Sequence, residues 1–265
     1  MTILPPSPTV LITGGSSGIG YELARVFAAN RARLVLVARG AEALSRAQAA
    51  LERDFNADVT VIAKDLAQPS AVPELVDLLA RSSLDIHVLV NNAGFATYGA
   101  FSATPWAEER DELQVNMVAL THLTKLLLPA MLLRRGGRIL NVASTAAFQP
   151  GPGMAVYYAT KAYVLSFSQA LSCELEGTGV TATALCPGPT QSGFQARARM
   201  EHSRLMRRSI MSPTEVAVKA YRGLMRGKRV VVPGWQNQLF RLGVRFAPTF
   251  LTLKLVRWAH QRSNT

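Results

Sequence analysis

The sequence predicts an α/β fold, a doubly wound parallel sheet with helices on both faces, followed by a basic, apolar helical extension. Three observations lead there. Short apolar runs alternate with amphipathic stretches of helical length along most of the chain, the order expected when parallel strands are joined by crossover helices. The first run opens directly on the glycine-rich stretch Thr13, Gly14, Gly15, Ser16, Ser17, Gly18, Ile19, Gly20. No repeat, low-complexity segment or linker divides the chain, and 265 residues of which 49% are hydrophobic suffice for one substantial core.

Val10, Leu11 and Ile12 form the first strand, and beyond the glycines Tyr21, Leu23, Ala24, Phe27 and Ala28 recur at helical spacing. Strand, glycine turn and helix in that order suit a dinucleotide. Glycines permit tight turning and close approach of backbone to a pyrophosphate, and a helix N-terminus offers free N–H groups and a positive dipole end. Gly14, Ser16, Ser17, Gly18, Ile19 and Gly20 are the candidate phosphate contacts of a Rossmann-type sheet. The second strand, 34–38, ends at Arg39, where an NAD site would place a carboxylate for the ribose hydroxyls about 20 residues past the glycines. An arginine there can pair with a 2′-phosphate, so NADP(H) is expected over NAD(H); the plain alternative is a solvated loop arginine. Glu42, the nearest acid, falls in the first turn of the helix at 41–55, where a carboxylate suits the dipole.

Residues 58–63 form the third strand, after which Asp65 and Leu66 can lie beside an adenine, or Asp65 can simply cap a turn or helix. A helix at 69–81 precedes the fourth strand, 86–90, which ends in Asn91, Asn92, Ala93 and Gly94. Amides and small residues at that end of a strand fit the ligand crevice of an open sheet. His87, inside the apolar strand, reads as a packed residue. A long helix at 108–135 stops at Gly136 and Gly137. Asn116 interrupts its apolar face, and a buried amide must be satisfied within the core or by ordering water near a site. The fifth strand, 138–143, delivers Ser144 at its carboxyl end, and a loop at 150–153 leads to a helix at 155–176. The sixth strand, 180–186, is followed by Pro187, Gly188, Pro189 and Thr190; a helix at 213–226 and a short strand at 229–232 complete the domain, 1–233.

Tyr157 and Lys161 share one face of the helix at 155–176, one turn apart. A free phenol has a pKa of about 10, and a fixed ammonium beside it favours the phenolate and lowers that value. The pair would make an acid catalyst, with Tyr158 as the competing phenol.

Charge is uneven. Residues 1–195 hold 14 Lys+Arg against 15 Asp+Glu, and residues 196–265 hold 15 against 2, so the excess behind the net +12 lies entirely in the last part of the chain. Cys173 and Cys186 have neither metal-ligand nor secreted spacing and are expected as buried free thiols in a reducing, cytoplasmic setting. The first eight residues lack a basic n-region and read as leading into a strand rather than as a signal peptide.

These motifs in this order resemble the short-chain dehydrogenase/reductase family over about residues 9–233: the glycine turn, Asn91 to Gly94, Asn116, Ser144, Tyr157 with Lys161, and Pro187 with Gly188. The resemblance implies that Tyr157 is the acid/base, that Lys161 lowers its pKa and holds the nicotinamide ribose, that Ser144 binds the substrate oxygen and that Asn116 positions a water in a proton relay. It implies cofactor contacts at the glycine turn, Arg39, Asp65, Leu66, Asn91, Ala93, Gly94, Tyr157, Lys161, Pro187, Gly188 and Thr190. It also selects Tyr157 over Tyr158 and supports Arg39 as an NADP determinant. Gly15 departs from the family, where alanine is commoner. No step of this chemistry needs a metal.

Residues 191–210, where the family keeps a substrate lid, carry Arg197, Arg199, Arg204, Arg207 and Arg208. These are either a solvated helix face or a dock for an anionic handle such as coenzyme A or an acyl carrier protein. Phe194, Met200, Leu205, Met206 and Met211 either meet an apolar chain or pack on the domain. The extension, 234–265, is apolar but broken by Arg241, Arg245, Lys254, Arg257 and Pro248, and no run in it reaches the roughly 18 apolar residues of a transmembrane helix. Two basic amphipathic helices are expected, lying on an anionic membrane or packing on a partner subunit of a homo-oligomer. No recognition motif supports nucleic acid binding. The expected activity is NADP(H)-dependent interconversion of a hydrophobic ketone, 3-oxoacyl or otherwise lipid-like, and its alcohol; the alternative is a cofactor-binding sensor or scaffold without turnover.

Overall fold

The computed structural model describes residues 4–191 and 210–260. Its sheet is built from β1 (Thr9–Thr13), β2 (Arg33–Ala38), β3 (Val59–Ala63), β4 (Val88–Asn91), β5 (Gly137–Val142), β6 (Val180–Leu185) and β7 (Val230–Val231). These form a seven-stranded sheet in the order β3-β2-β1-β4-β5-β6-β7, and every pairing is parallel. The chain winds outward from β1 in one direction through β3 and then in the other from β4. That leaves a crevice at the carboxyl ends of β1 and β4, where the direction reverses.

Helices α1 (Gly18–Ala29), α2 (Ala41–Phe55) and α7 (Pro213–Met225) carry the side chains that cover one face, whereas α3 (Ala71–Arg81), α5 (Leu120–Leu133) and α6 (Ala155–Glu174) supply the other. The period of two along the strands sorts the core. Val10 and Ile12 join Leu34 and Leu36 under Leu23, Phe27 and Leu224, and Leu11 joins Val35 and Val37 under Leu75, Leu123 and Met131. Each such fully buried side chain contributes about 1.5–3 kcal/mol.

The expected long helix is one run, Trp106–Leu133, apolar and long enough by composition to cross a membrane. In the fold it packs on α3, α6 and the sheet. It is not uniform: α4 (Trp106–Leu113) passes into a π turn, Gln114–Ala119, before α5 resumes. Such a turn accommodates one extra residue and re-aims the side chains on it, and Asn116 lies within it. After β7 the chain forms α8 (Trp235–Phe246) and α9 (Thr249–His260), parted at Pro248.

Two expectations are refined. Cys186 is buried and Cys173 is exposed, because only the former ends an interior strand while the latter lies on the outer side of α6. His87 is partly buried, and its Nδ1 accepts from the Thr9 N–H at 3.2 Å. Burial pulls its pKa down, which matches its service as a neutral acceptor. Residues 192–209, with the five arginines and Phe194, Met200, Leu205 and Met206 of the expected lid, lie outside the described residues.

Candidate active site

The glycine turn is held against two strands. Gly14 N–H donates to the Val37 carbonyl at 2.7 Å, which places the end of β2, and so the exposed Arg39, beside the turn. From β4, Asn92 Nδ2 donates to the carbonyls of Thr13 (2.9 Å) and Gly14 (3.2 Å), and Thr13 Oγ1 accepts from the N–H groups of Asn92 and Ala93, both at 3.0 Å. Gly14 and Gly18 have φ of +65° and +57°, which L side chains rarely adopt. A Cβ on Gly20 would fall 2.3 Å from the Gly14 carbonyl oxygen, so helix and turn meet there without room for a methyl group. An alanine at Gly15 would press on Leu36 at 3.0 Å, a tightness that fits the glycine found there.

Ser17 caps α1 without a side-chain hydrogen bond, and the first turn holds no acid. The leading N–H groups and the positive dipole end therefore face the crevice unanswered, the environment an anionic pyrophosphate requires. This cradle fits a dinucleotide, whose phosphates Gly14, Ser16, Ser17, Gly18 and Ile19 would hold, with Arg39 beyond β2. Glu42 is ion-paired with Arg46 on the exposed side of α2.

At the carboxyl ends of β5 and β6 the reactive groups converge. Ser144 caps a short 3₁₀ turn, Thr145–Phe148, and accepts from the Ala146 N–H at 3.1 Å, while Thr145 N–H donates to the Pro187 carbonyl at 2.9 Å. Ser144 and the Tyr157 phenol are hydrogen-bonded. Lys161 Nζ lies 5.6 Å from the centroid of the Tyr157 ring and donates to the Val142 carbonyl at 2.9 Å. Gly94 leaves that amine its space, since a Cβ there would come within 3.4 Å of Nζ and 2.9 Å of Asn116 Oδ1. Tyr158 is turned under Gly151, where an added Cβ would strike its ring at 2.2 Å, and meets Tyr157 edge to face at 6.1 Å.

Asn116 is a clamp. Its Oδ1 accepts from the Phe95 N–H (3.1 Å), and its Nδ2 donates to the Phe95 carbonyl (2.9 Å) and to Thr160 Oγ1 (3.1 Å). The amide is thus satisfied within the core, and both amide hydrogens are engaged.

The remaining candidates are less concentrated. Asn91 turns its amide into the interior, donating to Thr124 Oγ1 (3.0 Å) and Asn141 Oδ1 (2.9 Å). Asp65 Oδ1 accepts from the Ala67 N–H at 3.1 Å, a turn cap, and Leu66 packs in the core. Thr190 Oγ1 donates to the Gly188 carbonyl at 2.9 Å and pairs its strand edge with Met211; Gly188 lies beneath Asn237 of α8.

Electrostatics run against the expected effect of the lysine, since the Tyr157 phenol is raised rather than lowered. Burial pushes the Tyr157 phenol well up, with the Ser144 hydrogen bond opposing and the Glu112 charge reinforcing the shift. Burial also brings Lys161 down to about 8, against the charge of Glu112. The phenol is accordingly held protonated, the form that donates.

Glu112 was not among the candidates. It is fully buried on α4, and its Oε2 accepts from the Thr97 N–H at 2.8 Å while Oε1 has no hydrogen-bond partner among the described residues. Burial pushes it up to about 7, against the Thr97 bonds and the charge of Lys161, with Glu109 adding to the rise. Its sequence setting, between Glu109 and Leu113 of a charged helical turn, reads as solvated surface.

With this geometry in place, comparison with known proteins settles the class: the chain belongs to the short chain dehydrogenase family, whose model matches residues 8–203. Among its relatives is the ketoacyl reductase HetN of a Nostoc species, 36% identical over 216 residues, which are 79% of this chain and 72% of the relative. A short-chain dehydrogenase from Sphingobium yanoikuyae solved in complex with NADPH is 34% identical, with a TM-score of 0.81 covering 90% of this chain and 93% of that one. The bulky-bulky ketone specific alcohol dehydrogenase of Comamonas testosteroni is 30% identical, with a TM-score of 0.77 over 90% and 92% of the two chains. The chain is therefore an oxidoreductase-family, nucleotide-binding protein of the ketone/alcohol type.

Proposed function

We propose that this protein is an NADP(H)-dependent carbonyl reductase acting on a hydrophobic ketone, with 3-oxoacyl thioesters as the first substrate class. The observation that carries the reading is the buried Tyr157 phenol hydrogen-bonded to Ser144 beside Lys161, where burial favours the protonated form. Bound nicotinamide supplies the hydride. Tyr157 donates its proton to the carbonyl oxygen, and Ser144, sharing hydrogen bonds with that phenol, steadies the developing alkoxide. Lys161, anchored on Val142, favours the phenolate left behind. Asn116 serves as a positioning residue, tying the π turn to α6 through Thr160. Arg39 answers the 2′-phosphate, a choice supported by its place beside the glycine turn and by the NADPH bound to the Sphingobium relative.

The ketoacyl reductase among the relatives supports the substrate class. A thioester carried on coenzyme A or an acyl carrier protein would offer anionic groups to the arginines of residues 191–210. The exposed Leu126, Leu132 and Leu133 of α5 are where a second subunit would be sought. Free cysteines fit a reducing compartment such as the cytoplasm.

The test mixes purified protein with NADPH and a panel of bulky ketones and 3-oxoacyl thioesters. Oxidation of the cofactor is expected, and Tyr157→Phe should slow it by about 10²–10⁴-fold with NADPH affinity kept. Cofactor binding without turnover on any ketone would overturn the reading in favour of a sensor.

A further inference from the structure

Helices α8 and α9 present an apolar face that the redox site does not use. Along α8, Trp235, Leu239, Leu242 and Phe246 are 69%, 58%, 55% and 77% exposed. Their spacing of four, three and four puts them in one stripe of the helix. On α9, Leu251, Leu255 and Trp258 repeat the pattern, each about half exposed. The other sides of both helices are anchored. Asn237 Nδ2 donates to the Pro233 carbonyl at 2.6 Å, Gln238 Nε2 donates to the Val232 carbonyl at 3.2 Å, and the Arg241 guanidinium lies over the Phe148 ring at 5.5 Å. Val256 is buried among Met154, Tyr157 and Tyr158. The fold therefore holds the stripe outward.

Charge accompanies it. Arg245, Lys254 and Arg257 are exposed on the same two helices, and the sequence contains no Asp or Glu after Glu215. We propose that this face docks on the surface of a bilayer containing anionic lipid. The tryptophans, phenylalanines and leucines would enter the boundary between headgroups and acyl chains, and the basic side chains would meet lipid phosphates. Charge decides among occupants. A second copy seated about a two-fold axis would set this cationic face against itself with no local carboxylate to answer it. A neutral apolar partner would leave the cations without counter-charge. An anionic bilayer answers both the stripe and the charge.

The placement of Val256 adds a consequence. Because it shares a buried cluster with Met154, Tyr157 and Tyr158, α9 joins the docking face to the packing around the phenol, and a ketone dissolved in lipid would meet the site at the membrane surface. That consequence rests on the redox reading; docking itself does not.

The test is co-sedimentation of the full chain with phosphatidylcholine vesicles made with and without phosphatidylglycerol, at low and high salt. Binding is expected with phosphatidylglycerol at low salt, weakening about tenfold or more without it or at high salt. Leu239→Glu with Phe246→Glu, and separately Arg245→Glu with Arg257→Glu, change exposed side chains outside the catalytic machinery; both pairs should abolish sedimentation while circular dichroism and reduction of a water-soluble ketone stay as in the parent. Three results would overturn docking: parent protein left in the supernatant at low salt, variants that still sediment, or variants that reduce the oligomeric state without lipid, which would make the face a subunit interface. Sedimentation needs no turnover, so it stands or falls apart from the activity.

Discussion

Glu112 on α4 and Lys161 on α6 are both buried, and each favours the charged form of the other. Burial drives them toward neutrality from opposite sides, the carboxyl up to about 7 and the amine down to about 8. A residue outside the family motifs thereby opposes the effect of burial on one inside them.

The first consequence is for stability. The unfolded carboxyl, with an ordinary value of 4.5, loses its proton earlier than the folded one at about 7. Stability contributed by the protonated form is present below 4.5 and is lost as pH rises through about 7. Glu112→Gln removes that loss, so it should exceed the parent by about 2–3 kcal/mol in denaturant unfolding above neutrality and match it in acid. Equal stability of the two proteins at all pH values would contradict the assignment.

The second concerns the pH profile of reduction. The ammonium fraction of Lys161 falls as pH rises through about 8, so kcat/KM should decline there rather than at the ordinary lysine value of 10.5. In Glu112→Gln the charge that raises Lys161 is gone, and the alkaline limb should move to lower pH. A limb that stays in place would separate the two groups.

Cofactor choice should follow Arg39. Removing a charge-assisted phosphate contact forfeits about 1.5–3 kcal/mol. Arg39→Ala is therefore expected to raise KM for NADPH by about 10–100-fold and leave KM for NADH nearly unchanged. Steady-state kinetics with both cofactors check this, and a parallel change in both would assign Arg39 to the loop alone.

Gly20 tests the cradle. An alanine there would set a methyl group 2.3 Å from the Gly14 carbonyl and 2.4 Å from Asn92 Nδ2, so the turn must shift. Gly20→Ala should lower stability by about 1–3 kcal/mol and abolish NADPH binding measured by fluorescence titration. Retained affinity would show that the turn does not hold the phosphates.

Much of this was legible in the chain because periodicity reports burial. The alternation of Val10, Leu11 and Ile12 assigns each to a face of the sheet, and Pro248 marks the break between α8 and α9. The spacing of Tyr157 and Lys161 likewise puts them on one helical face, and the structure sets Nζ 5.6 Å from the ring. Other features had no local signal. A π turn differs from an α-helix only in how its backbone is bonded, and the occupation of Asn116 depends on Phe95 and Thr160, 21 and 44 residues away. The inward turn of Asn91 depends in the same way on Thr124 and Asn141.

Local order along the chain by itself determined the strand–helix alternation, the glycine turn and the identity of the phenol and amine, since each depends on neighbours a few residues apart. Tertiary structure alone decided which charges they feel. Desolvation is a property of everything packed around a group, and only folding buries Glu112, Tyr157 and Lys161 near one another, raises the phenol and brings Val256 of the last helix into the same buried cluster.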